Sequence, residues 1–220
     1  MEPSDLREQL LRLYLRLNGF FTSGFIAHSH DPYKNIAEID TVAVRFPHNS
    51  EPERGVEADQ SLELSHSYIE LAICEAKTEP RFNKALYANI AAIEKLLRWA
   101  GMFTEDEVLE LAPKVQKILI PEPNPKPKIR RMTPYRGVVI RALPFCMNYP
   151  RPRPNQPWLV GSDSAFRFIF SCLSPAFEPR SCGRRYGAAQ WAEFEPLIAF
   201  FKNWPPQTTP TYKDCEKAMT

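Results

Sequence analysis

An α/β fold is predicted by three features of the 220-residue chain: two strand-like runs that agree on one pairing register, an amphipathic helix before them, and another after them. The first helix is expected over residues 5–18, where Leu6, Leu10, Leu13 and Leu17 recur at helical spacing and Asn18-Gly19 supplies a stop. Phe20 to Ala27 follows as a first strand. Ile36 to Phe46 is the second, and a two-residue period puts Asp40, Val42, Val44 and Phe46 on one face. Tyr68 to Lys77 is the third. Ile69, Leu71, Ile73, Glu75 and Lys77 share one of its faces and Tyr68, Ala72, Cys74 and Ala76 the other, the pattern of a strand buried on both sides. Asn83 to Ala100 predicts a second helix, with Leu86, Ile90, Ile93 and Leu97 in a stripe and Glu94 paired to Arg98. Val115 to Ile120 then reads as a strand returning to the sheet.

The second and third strands fit together in one way. With Asp40 opposite Glu75, Val42 meets Ile73, Val44 meets Leu71, Phe46 meets Ile69 and Glu38 falls opposite Lys77 as an ion-pair partner. A slip of one residue would turn every side chain to the wrong face. The consequence is a buried strand that ends by projecting a carboxylate and an ammonium side by side. Desolvated charges are costly unless paired or bound to a metal. Adjacent carboxylates repel without a cation between them, and a hard divalent ion such as Mg²⁺ prefers such oxygen donors.

An Ile-Asp on one strand followed by Glu-x-Lys at the end of the next, here Asp40, Glu75 and Lys77, resembles the PD-(D/E)XK nuclease superfamily. The resemblance covers residues 1–122 and implies a restriction-endonuclease-like core: helix, three antiparallel strands, helix, strand. It implies a metal-dependent nuclease hydrolysing phosphodiester bonds in DNA, with Mg²⁺ or Mn²⁺ as cofactor, in a defence, mobile-element or repair role. Asp40 and Glu75 would be direct metal ligands, with the backbone carbonyl of Ala76 as a third. Lys77 would hold the attacking water and offset developing negative charge. Relatives also carry a glutamate in the first helix, about three turns before a Gly-aromatic pair, which matches Glu8 ahead of Gly19-Phe20. A plainer role for Glu8 stays open, as part of an Asp5-x-x-Glu8 cap or an i,i+4 pair with Arg12. Lys84, Tyr87 and Arg81 stand where relatives place phosphate-contacting residues, and equally where a helix shows polar side chains to solvent.

The second half differs in charge. Residues 1–100 hold 11 Lys and Arg against 15 Asp and Glu, whereas residues 101–220 hold 17 against 11. Lys126, Lys128, Arg130, Arg131, Arg136, Arg141, Arg151 and Arg153 form a basic stripe suited to phosphate, with Lys126, Lys128, Arg130 and Arg131 (and Lys84) as the leading nucleic-acid contacts. Tyr135, Phe145, Tyr149 and Trp158 are interleaved with it, as base-stacking rings or as core. Prolines 121, 123, 125 and 127 read as an extended connector. Residues 123–220 are therefore expected to form a Pro-rich, basic C-terminal extension, packed on the core or folded as a small subdomain. Arg136 to Leu143 reads as a strand, Ser164 to Leu173 as strand or helix, Ala189 to Asn203 as a helix, and the tail after Pro205 as loosely ordered. The acidic stretch His48 to His66 reads as a mobile or partner-binding loop at the far end of the sheet from Asp40.

Other chemistry is poorly supplied. His28 and His30 sit in a turn-like context, and Cys74, Cys146, Cys172, Cys182 and Cys215 show no Cys-x-x-Cys spacing for zinc. There is no Gly-rich phosphate loop and no Gly-x-Ser-x-Gly elbow. The polar start, unpatterned cysteines and lack of a long apolar run lead to the expectation of a cytoplasmic protein with no membrane partner. The expected partner is nucleic acid, DNA ahead of RNA, with a second copy of the chain or another subunit as a further candidate. The alternative function is a catalytically inactive nuclease-fold module for nucleic-acid binding or complex assembly. A protein-interaction domain without nucleic acid is a third.

Overall fold

The computed structural model describes residues 1–29, 35–50, 56–79, 81–120, 131–150, 159–174 and 191–219. Helix α1 (Pro3–Leu17) has Pro in its first turn, where the missing N–H costs nothing, and buries Leu6, Leu10, Leu13, Tyr14 and Leu17. It ends at Asn18, and Gly19 turns the chain with φ +83°. That left-handed conformation favours glycine, and a Cβ there would also displace the Asn49 side chain, whose Oδ1 lies 2.2 Å away.

Strands β1 (Phe21–His28), β2 (Asn35–Arg45) and β3 (Ile69–Lys77) pair antiparallel in succession. The β2–β3 ladder runs from Thr41 opposite Cys74 to Arg45 opposite Glu70, with Val42 on Ile73 and Val44 on Leu71, which is the register predicted. The chain then crosses over through α2 (Lys84–Ala88), α3 (Ile90–Ala100) and α4 (Glu105–Leu119) and returns as β4 (Val138–Cys146), parallel to β3. A short β5 (Val160–Gly161) completes a five-stranded mixed sheet in the order β1-β2-β3-β4-β5. Helices α5 (Ser162–Leu173), α6 (Glu195–Asn203) and α7 (Tyr212–Met219) follow.

Helices cover both faces. One apolar cluster joins Leu71, Ile73 and Ile140 to α2–α4, through Leu86, Ile93, Leu97 and Leu111. The other joins Ala72, Cys74 and Phe145 to α1 and α5–α7, through Leu10, Phe166, Leu197 and Phe201. Among the described residues no helix is long and apolar enough to cross a membrane.

Several elements depart from expectation for local reasons. Val115 to Leu119 lies in α4, not a strand: Val108, Leu111, Ala112, Val115 and Leu119 bury at helical spacing, and Pro113 is tolerated on the exposed side. The returning strand is β4 instead. The helix expected over 83–100 is two helices, because Asn89 is extended (φ −122°) and its side chain caps Ala91 N–H. The tail is helical at α7, where Asp214 accepts from Thr211 N–H and Cys215 is buried. The segment 164–173 resolves as helix.

The described part of the 48–66 loop is not free. Asp59 accepts from Tyr14 Oη at 2.7 Å, and its own N–H donates to Asn18 Oδ1. Arg141, only 1% exposed, forms a two-pronged pair with Glu70 (3.0 and 2.8 Å) and donates to the carbonyls of Leu62 and Glu63. Glu70 also accepts from Ser65 N–H. A buried arginine thus takes this loop as its backbone acceptor, so Arg141 is no phosphate contact.

Candidate active site

The site forms where the β2–β3 ladder ends. On the other side of β2, Ser23 opposes Val42 but Phe25 opposes Ile39, so Gly24 alone faces Asp40 and Thr41. This bulge breaks the alternation, which is why Ala37, Ile39 and Val42 all enter the same core. Asp40 is released to reach across to β3, where its Oδ2 accepts from Ala76 N–H at 2.8 Å.

Lys77 closes the arrangement. Its Nζ is 2.8 Å from Glu75 Oε2 and 3.1 Å and 3.3 Å from Asp40 Oδ2 and Oδ1. The structure therefore brings together Asp40, Glu75 and Lys77. Glu38 is exposed, and Lys77 is paired with Asp40 and Glu75 in place of the expected Glu38.

Glu75 is fully buried, and neither carboxylate oxygen accepts a well-aligned hydrogen bond among the described residues. Burial and the neighbouring Asp40 charge push its pKa up to about 7, against the pull of Lys77 and of the Asn83 N–H. For Lys77 burial acts downward, but the two carboxylates outweigh it and hold the ammonium above its usual range. Asn83 is a site neighbour that the sequence pattern alone does not single out. The available signal is its N-cap position before Lys84-Ala85-Leu86, and its side chain does accept from Ala85 N–H.

Glu8 belongs to the same end of the sheet. Burial and the charge of Asp40 raise its pKa, with Arg12 and Lys77 opposing, so it lies within electrostatic reach of the Asp40–Lys77 pair. Of its plainer roles the Asp5 cap fails, because α1 begins at Pro3, whereas Arg12 does act on Glu8 while also reaching Glu193 at 3.7 Å.

The donor set suits a hard cation. Two carboxylates and the Ala76 carbonyl offer oxygen only, and Lys77 is the ammonium that faces the Glu75 carboxylate. Among the described residues no group of three or more His, Cys, Asp or Glu is placed to hold a metal ion. Mg²⁺ does not require one, because it keeps waters and binds through one or two carboxylates plus substrate phosphate.

The expected nucleic-acid contacts fare unevenly. Lys84 is exposed at the start of α2, immediately after Asn83. Arg81 pairs with Glu79 at 3.4 Å, and Tyr87 is half-buried. Arg131 reaches Glu63 at 3.8 Å, and Arg136 pairs with Glu107, so these two are partly neutralised. Phe145 is core, and Tyr135 donates to Glu110. His30, the connector prolines, Lys126, Lys128, Arg130, Arg151, Arg153, Trp158 and Cys182 lie outside the described residues. The other four cysteines are buried free thiols.

A pH signature follows. Glu75 has a folded pKa of about 7 against an ordinary 4.5, so the folded state binds more protons between those values. The Glu75 contribution to stability is then fullest below the ordinary value and is lost as pH rises through about 7. Thermal melts in EDTA are expected to show this fall, and Glu75→Gln to flatten it; a parent protein that gains stability over the same window would contradict the assignment.

Comparison of the chain with protein-family models, with curated proteins and with solved structures finds no match.

Proposed function

We propose that this chain is a divalent-metal-dependent nuclease, acting on DNA, with Asp40, Glu75 and Lys77 at its centre. The observation that carries the reading is the Lys77 ammonium lying within 3.3 Å of both carboxylates at the end of a buried strand. The order of elements supports it: a helix, three antiparallel strands, crossover helices and a parallel strand, as in a restriction-endonuclease-like core.

Asp40, Glu75 and the Ala76 carbonyl would hold the ion, with Glu8 as a further carboxylate near it. Such an ion supplies phosphate polarisation and a lowered pKa for bound water. Lys77, tied to β3 and held as a cation, orients the attacking water and offsets charge on the phosphate oxygens. Strand ends keep these groups rigid, which positioning of this kind requires.

A catalytically inactive module for nucleic-acid binding or assembly is the second reading, favoured by the lack, among the described residues, of any group of three or more His, Cys, Asp or Glu placed to hold a metal ion. Calorimetric titration with Mg²⁺ and Mn²⁺ separates the two. Saturable binding is expected in the parent and lost in Glu75→Gln; absence of binding in the folded parent would favour the inactive module.

A further inference from the structure

Beside the catalytic end of the sheet, residues 24–28 of β1 and Lys95 and Trp99 of α3 enclose an open groove of about 500 Å³. We infer that this groove takes an unpaired nucleobase with its phosphate, so that the substrates are single-stranded or branched DNA; the inference rests on the nuclease reading above.

Trp99 remains 49% exposed although Phe25 braces it from below, with ring centroids 5.3 Å apart. A large aromatic held rigid with half its surface open is a stacking platform. Lys95 stands one helical turn earlier on α3, on the same side of the groove, and no carboxylate pairs with it among the described residues. Among the described residues the lining contains no acid, and Lys95 is its charged side chain. That charge pattern suits a phosphate. Glu38, across from Ile26, belongs to the opposite face, because its neighbours Ala37 and Ile39 are the residues that enter the α3-side core.

Position argues the same way. Gly24 lines the groove and also faces Asp40 across the bulge, where an added Cβ would sit 3.8 Å from the Asp40 carbonyl oxygen. The groove is therefore one strand outward from Asp40, and in the proposed complex one nucleotide occupies it while a neighbouring phosphate meets Lys77. A paired base hides its faces in the duplex stack; only an unpaired one offers a face to Trp99. The volume is also that of a small-ligand site, too little for a duplex.

Fluorescence anisotropy with a labelled 15-nucleotide single strand and the matching duplex, both in EDTA, tests this. Trp99→Leu is expected to weaken single-strand binding by about tenfold or more and duplex binding by less than about twofold. Trp99→Tyr should restore most of the loss, and Lys95→Gln should lower the single-strand salt slope by about 0.7. Single-strand binding unchanged in Trp99→Leu, or absent from the parent at low salt, would overturn the groove. So would a change in sedimentation mass with DNA binding intact, which would mark a protein-binding edge. Metal-dependent cutting by the parent is read separately. Trp99-dependent binding without cutting would sink the nuclease reading and spare the groove.

Discussion

Asp40→Ala is expected to lose metal-dependent cleavage on the order of a thousandfold while remaining folded. Three contacts go at once. The metal site loses a carboxylate, Lys77 loses its 3.1 Å partner, and Ala76 N–H loses its acceptor. Only the last bears on the fold, and a lost hydrogen bond at this partly buried position costs about 1–3 kcal/mol. The Glu75–Lys77 pair survives, and removal of the Asp40 charge lets the Glu75 pKa fall. The variant should thus melt cooperatively, bind DNA nearly as the parent does, and fail to cut. Equal cleavage by Asp40→Ala and parent would remove Asp40 from the site.

Arg141→Met is expected to be the most destabilising single change. It leaves Glu70 as an uncompensated charge in the interior and strips the Leu62 carbonyl of its donor. Breaking a buried pair in this way costs about 3–5 kcal/mol. For a chain of this size that lowers Tm by roughly 6–20 °C. Adding Glu70→Leu should recover much of the loss, since an apolar pair of similar volume replaces two desolvated charges. A melt of the single variant within about 2 °C of the parent would refute the pairing's role.

The legibility of this molecule in its sequence is uneven, for physical reasons. The β2–β3 register is readable because both strands bury alternating apolar residues, so only one alignment satisfies Val42, Val44, Leu71 and Ile73 together. The same pattern points to Asp40, Glu75 and Lys77, as charges where the pattern predicts burial. The bulge that aims Asp40 is not readable: it depends on Gly24 in another strand opposing two residues, where strict alternation allows only one. Helix α4 is hidden because Pro113 looks like a stop and Val115 to Ile120 is β-prone, whereas the period that decides it begins at Val108. Arg141 reads as a phosphate contact because charge runs say nothing of burial. Its partner Glu70 is 71 residues away in sequence, on the adjacent strand.

Hydrolysis is the property on which the proposed function rests. Supercoiled plasmid, linear duplex, single strand and a branched junction should be incubated with Mg²⁺, Mn²⁺ or EDTA, with Lys77→Ala as control. Cutting that needs the metal, disappears in EDTA and is lost in Lys77→Ala is the result expected. Folded parent protein that binds these DNAs but leaves all of them intact with either metal would contradict it.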